Sequence, residues 1–308
     1  MTSDAFGALI LGGNVFGWTA NREQSFAVLD AFVAAGGFAI DTADVYSAWA
    51  PGNRGGESES ILGEWLRSRG LRDRVHIATK VCQHPDRPGL AADNVRRAID
   101  DSLRRLGTDY VDLYYAHRDD PNVPQSEVVE VFDELVRVGK VRSVGASKFA
   151  PERLRWAVEF ARSNALTAFT VSQDHYNLVE RAFETTVRDT IAELGLVEVP
   201  FYSLASGFLT GKYRPGQSTD SPRAAAATEY LNVPANRELL EALDDIAAAH
   251  ASSVTAVALA WLAAQPTVAA PLASARTVEQ LTELLAAATL ELSPSELSQL
   301  SDITAPSR

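Results

Sequence analysis

Residues 38–80 read FAIDTADVYSAWAPGNRGGESESILGEWLRSRGLRDRVHIATK, a strand, a loop, a helix and a second strand in succession. Phe38–Thr42 is a short apolar run of the kind buried in parallel sheets. Ser47–Gly56 (SAWAPGNRGG) is loop-like, Glu57–Arg69 has a helical pattern that stops at Gly70, and Val75–Lys80 is apolar again. Parallel strands need a helical crossover of this kind, so the stretch predicts a βαβ unit.

The same alternation extends in both directions. Six further strands are predicted at Ala8–Gly12, Val111–His117, Arg142–Ser147, Phe169–Gln173, Val197–Leu204 and Val268–Ser274. Helices are predicted at about Gln24–Ala35, Asp93–Leu106 (ended by Gly107), Ser126–Val138 with Ser126 as N-cap, Pro151–Ser163, Val179–Leu194, Arg237–Ala264 and Val278–Ala287. His250–Ser253 divides the seventh helical stretch of the chain into two. A second long loop is expected at Gly211–Pro234. Eight alternations favour a closed (β/α)8 TIM barrel, an α/β fold, over an open sheet, with residues 1–308 forming a single domain.

Composition narrows the function. The net charge of −12 argues against DNA, RNA or an anionic membrane as partner, while leaving room for a local basic pocket. A single cysteine, Cys82, excludes an intrachain disulfide and a cysteine zinc cluster. The opening MTSDAFGALI lacks a basic region followed by an apolar stretch, and no apolar run approaches ~20 residues. No signal peptide or membrane span is expected, and the cytoplasm is the expected compartment.

Polar residues stand where a barrel opens. Asp41 and Tyr46 follow the second strand, Lys80 ends the third and His117 ends the fourth. Side chains at the carboxyl ends of barrel strands face the mouth where substrates bind. Singly, each has an ordinary structural reading, but a lysine ending an apolar strand must be paired or face a cleft. Together they make a proton relay. A phenol of ordinary pKa ~10 is a poor acid at neutral pH. A neighbouring ammonium lowers that value and a carboxylate holds the ammonium in place. Tyr46 is then expected to protonate a carbonyl oxygen, and His117 to hydrogen-bond the same oxygen.

This set resembles the aldo-keto reductase family, with Asp41, Tyr46, Lys80 and His117 matching its catalytic pattern. The resemblance continues through GASKF (145–149), SQDHYN (172–177), SLASGFLTGKYR (203–214) and SARTVEQL (274–281). It implies NADPH-dependent reduction of aldehydes or ketones to alcohols. It assigns Ser147, Lys148 and Gln173 to the nicotinamide carboxamide, although many relatives have asparagine where this chain has Lys148. Phe201 is assigned to stacking on the nicotinamide, and Tyr202, Leu204, Ser206, Gly207 and Lys212 to the strand and loop around the pyrophosphate. There, small residues (Ala205, Ser206, Gly207) let backbone N–H groups approach phosphate. Ser274, Arg276 and Gln280 are assigned to the adenosine end, with Arg276 on the 2′-phosphate. Leu284 replaces an asparagine often found near the adenine.

Trp18, Trp49 and Tyr115 are expected to line an apolar substrate pocket for a small carbonyl compound. Two other functions share the fold: a catalytically silent, cofactor-binding regulatory subunit, and an aldolase forming a Schiff base at Lys80. A metal-dependent hydrolase is disfavoured, because His76, His84, His117, His175 and His250 form no ligand motif. Nothing in the sequence fixes an oligomeric state.

Overall fold

The computed structural model describes residues 5–217 and 222–305. Its elements are, in order, β1 (Ile10–Gly12), α1 (Arg22–Ala34), β2 (Ala39–Asp41), α2 (Glu57–Arg69), β3 (His76–Val81), α3 (Ala92–Leu106), β4 (Leu113–Ala116), α4 (Gln125–Arg137), β5 (Val144–Ser147) and α5 (Pro151–Ser163). There follow β6 (Val171–Gln173), α6 (Ala182–Thr186), α7 (Arg188–Leu194), β7 (Val197–Glu198), α8 (Ala224–Glu229), α9 (Pro234–Ala249), α10 (Val254–Ala263), β8 (Leu272–Ala273), α11 (Val278–Ala286) and α12 (Pro294–Ile303).

All eight strands are parallel, in the order β7-β6-β5-β4-β3-β2-β1-β8. A parallel bridge between Glu198 and Val268 joins the two ends, with Glu198 N–H donating to Thr267 O and Ala269 N–H to Glu198 O, both at 2.8 Å. The expected (β/α)8 barrel is therefore the observed one. Closure removes the exposed sheet edges that an open sheet would leave.

Two apolar layers hold the barrel. Between strands and helices lie residues such as Leu11, Ile40, Ile77, Tyr114, Ala146, Phe132 and Trp261. Inside the barrel lie Ile10, Ala39, Leu113, Tyr115, Val171, Val199, Ala270 and Leu272. Helix α10 is buried from Thr255 to Leu262, which explains its almost uniformly apolar sequence. Among the described residues no single helix is long and apolar enough to cross a membrane.

Where the structure departs from the sequence expectation, local chemistry explains it. The strand expected over Val197–Leu204 stops at Glu198, because Pro200 lacks an N–H and Tyr202 takes φ of 57°. The helix expected over Val179–Leu194 breaks into α6 and α7, where the Thr185 and Thr186 hydroxyls bond back to Ala182 O. Helix α4 starts at Gln125 after Pro124, so Ser126 is not its N-cap. The expected loop 211–234 contains α8, and residues 218–221 of it lie outside the described residues. The break at 250–253 separates α9 from α10 as expected, with Ser253 accepting from Ala256 N–H. Helix α12 was not anticipated, although Ser293 and Glu296 form the reciprocal capping pair that marks a helix start.

Gly145 fits the barrel to its largest interior ring. A Cβ at this position would lie 2.6 Å from the Tyr115 ring and 3.1 Å from Val171 O. Gly145→Ala is expected to cost about 1–3 kcal/mol of stability by overpacking, read as a lower urea midpoint with an unchanged slope.

Candidate active site

The strand period of two builds the mouth of the barrel. The interior layer comprises Ile10, Ala39, Ala78, Tyr115, Gly145, Val171, Val199 and Leu272. Two residues further along each strand stand Gly12, Asp41, Lys80, His117, Ser147, Gln173, Phe201 and Ser274. One layer is apolar and the next is predominantly polar. A Cβ on Gly12 would come within 2.5 Å of Ser274 Oγ, so glycine there keeps the ring of side chains open.

Lys80 is fully buried, and its ammonium meets three acceptors: the Asp41 carboxylate, Thr42 O at 2.8 Å and Tyr46 Oη at 2.9 Å. These match the three donors of an ammonium. Asp41 also accepts from Tyr46 Oη at 3.2 Å and from Gln173 Nε2 at 3.1 Å. The Tyr46 and His117 rings lie edge to face with centroids 6.1 Å apart, and His117 Nδ1 has no hydrogen-bond partner.

Electrostatics sharpen these roles. Burial holds the Tyr46 phenol well above its ordinary pKa, and the Asp41 carboxylate adds to the effect. The sequence led us to expect the opposite; enclosure and the Asp41 carboxylate set the direction here. Burial lowers the pKa of Lys80, opposed by Asp41. His117 is driven well below the imidazole range by burial and then by Lys80 and Lys148, so it is neutral at neutral pH.

A cleft of about 570 Å³ opens over this layer. Tyr46 and His117 line it, with Asp41 and Lys80 set behind them. Trp18 and Trp49 form one wall, ring centroids 5.7 Å apart, and Trp49 also meets Tyr46 at 6.1 Å. Tyr115 does not line the cleft. It is 1% exposed and packs inside the barrel, because the strand period turns it inward one layer below His117.

The remaining candidates also reach the cleft: Lys148, Gln173, Phe201, Tyr202, Leu204, Ser206, Gly207, Lys212, Ser274, Arg276 and Gln280. Ser147 lies behind it, buried, with an unpartnered hydroxyl beside Gln173. Phe201 stacks on His175 at 5.3 Å, and the Lys148 amine lies 5.1 Å from the centre of the Phe201 ring. The turn at 202–207 runs through positive φ at Tyr202, Ala205, Ser206 and Gly207. The Ala205 and Gly207 N–H groups are already bonded to Tyr202 O and Leu204 O. These two are thus not the free donors the sequence suggested, while Ser206 and Lys212 bring polar side chains to the cleft lining. Gln280 Oε1 accepts from Arg276 N–H at 2.9 Å, fixing Arg276 at the start of α11.

Sequence reasoning missed Asn14, Gln83, Thr255 and Glu283, and placed Arg223 only in a loop; all five line the cleft. Gln83 was not legible from the strand register, because Val81, two residues before it, faces the helix layer and not the barrel axis. Nor was Arg223, since its position over the Trp18 ring depends on how α8 folds back.

Residues 8–305 match the family model described as "Aldo/keto reductase family". The chain is 34% identical to the uncharacterized oxidoreductase YrpG of Bacillus subtilis, over 96% of this chain and 91% of that protein. It is 32% identical to the aldo-keto reductase AFTS1 of Alternaria alternata, over 93% and 85%. It is also 32% identical to norsolorinic acid reductase of Emericella nidulans, over 96% and 77%.

Behind the polar layer sits Asp44, buried with neither carboxylate oxygen bonded. Burial, then Glu59, raise its pKa from 3.8 to about 7. A carboxyl whose folded pKa is raised makes the native state bind more protons than the unfolded one between those values. Its ionisation therefore costs stability as pH climbs from about 4 to about 7. Asp44→Asn is expected to raise stability at pH 8 by on the order of 3 kcal/mol relative to the wild type, with little gain at pH 4. Urea unfolding of both proteins at the two pH values checks this.

Proposed function

The chain belongs to the aldo/keto reductase family, and we propose from that premise that it reduces aldehydes and ketones to alcohols with NADPH, Tyr46 giving the proton. The family and its relatives make the chain an oxidoreductase. The observation that carries the finer reading is the Tyr46 hydroxyl, held 2.9 Å from the Lys80 ammonium at a cleft wall shared with His117.

The residues present suit a nicotinamide cofactor. The unpartnered Ser147 hydroxyl and the Gln173 amide match a carboxamide's donor and acceptor. Phe201 offers an aromatic face, and Ser206, Lys212, Arg223 and Arg276 line the stretch suited to phosphates. When bound, the reduced cofactor supplies hydride to the carbonyl carbon. Tyr46, a neutral phenol at neutral pH, donates its proton to the carbonyl oxygen as negative charge develops there. Lys80 stabilises the phenolate left behind, and Asp41 keeps that ammonium charged and aimed. Neutral His117 supplies an N–H to the same oxygen.

The Schiff-base reading finds no support, because all three Lys80 donors are engaged and the amine does not line the cleft. A silent regulatory subunit would have no need of the intact set of Asp41, Tyr46, Lys80 and His117. Among the described residues no cluster of three or more metal-ligating side chains exists. We further propose that residues 1–308 form a single domain that works in the cytoplasm on a small-molecule carbonyl substrate, without nucleic acid or membrane.

Tyr46→Phe is expected to lower kcat for an aromatic aldehyde by about 10²–10⁴ while NADPH affinity, read by fluorescence titration, stays near the wild-type value; comparable turnover would remove Tyr46 as the acid. Arg276→Ala is expected to weaken NADPH by about tenfold or more, the worth of a charge-assisted phosphate contact, with NADH nearly unaffected. Equal losses for the two cofactors would refute a 2′-phosphate contact.

A further inference from the structure

Two acids lie buried side by side behind the mouth of the barrel, and the proton relay uses neither. Along β6 and β7 the side chains of Val171 and Val199 face the interior, so those of Ser172 and Glu198, one position away on each strand, face outward to the helices. The Glu198 backbone is fixed where the barrel closes, by its bonds to Thr267 and Ala269. Its side chain is fully buried and accepts from the Asp174 N–H at 2.7 Å through Oε1. The Asp174 carboxyl is buried too, and it accepts from Ser172 Oγ at 2.6 Å and from the Lys148 backbone N–H.

The two carboxyl groups also bond each other. Two carboxylates have no hydrogen to share, so one of the pair is protonated. Glu198 is that one. Burial and then Asp174 hold its pKa well above the ordinary range, whereas the Ser172 hydroxyl, the Lys148 N–H and the charge of Lys148 all favour the Asp174 anion. Glu198 therefore donates to the Asp174 carboxylate while accepting from its backbone, and a neutral acid serves both ends at once.

We propose that Glu198 is a positioning residue for the nicotinamide site, clamping Asp174 and through it the three strand ends that carry Ser147, Gln173 and Phe201. Asp174 directly follows Gln173, which is paired in register with Ser147. Its carbonyl accepts from the Phe201 N–H at 3.0 Å, and its carboxylate holds the backbone just after Ser147. Residue 174 thus ties together both polar partners of a carboxamide and the aromatic face, and Glu198 sets residue 174. Neither acid lines the cleft, so each acts through its neighbours. This role rests on the NADPH reading of those three residues.

The test separates the two ends of the cofactor. NADPH carries the nicotinamide, whereas adenosine 2′,5′-bisphosphate presents the adenosine end alone, and both are titrated into each protein by calorimetry. Glu198→Met is expected to weaken NADPH by about tenfold, the worth of one carboxamide hydrogen bond, while the bisphosphate stays within about twofold of its wild-type affinity. Glu198→Gln presents the same donor and acceptor as the neutral acid, and is expected to hold NADPH within about twofold of the wild type. Ser172→Ala is a smaller change that takes one donor from Asp174, and is expected to weaken NADPH alone, by about threefold. A general loosening of the fold would weaken both ligands together. Equal losses for the two ligands, or a Glu198→Gln protein as weak for NADPH as Glu198→Met, overturns the proposal. So does an unchanged NADPH affinity in Glu198→Met, or in Ser172→Ala should the methionine variant not fold. A wild type that binds neither ligand instead overturns the NADPH reading itself, and the clamp's role with it.

Discussion

A buried ammonium with three acceptors governs this mouth. Lys80 sits at the end of β3, where an unpaired charge would be prohibitively costly, and the barrel answers with Asp41, Thr42 O and Tyr46 Oη. The arrangement fixes Tyr46 as much as it satisfies Lys80. Asp41 is in turn held by Gln173 from the far side of the barrel, so residues separated by 132 positions share one network. Removing any member leaves another polar group buried and unpaired.

The closed parallel sheet delivers these groups together. Alternate side chains of each strand face the axis, and eight strands running the same way place their last inward residues at one end. The layer beneath is apolar, with Tyr115 filling the space that Gly145 leaves. An apolar floor under a polar ring raises the worth of every contact above it, since it keeps the local dielectric low.

The same periodicity accounts for what could be read from the sequence. Asp41, Lys80, His117 and Gln173 are polar residues ending apolar runs, which needs only a strand register to interpret. Tyr115 was misplaced because an aromatic two residues before His117 looks like part of the mouth, whereas the period sends it to the layer below. The turn at 202–207 was legible as small and irregular. Which of its N–H groups stay free depended on the i→i+3 bonds of the folded turn, and these are not encoded in residue type. Arg223 and Gln83 enter the cleft through loop paths that periodicity does not describe. Helix α12 was an oversight of a different kind, since its cap was written plainly in Ser293 and Glu296.

The state of Tyr46 bears on the proposed proton transfer. A phenol whose pKa is raised by enclosure and by Asp41 is present as the donor throughout the neutral range. Proton delivery to a carbonyl oxygen uses that form, whereas taking a proton from an alcohol requires the phenolate. With the barrel closed and Lys80 saturated, the ammonium favours the phenolate chiefly after the proton has left, at the moment charge appears. The sequence suggested a standing pKa depression at Tyr46. The geometry instead supports, for the proposed reduction, a resting acid whose conjugate base would meet the Lys80 ammonium 2.9 Å away as it forms, and by microscopic reversibility the same pair would serve the reverse step.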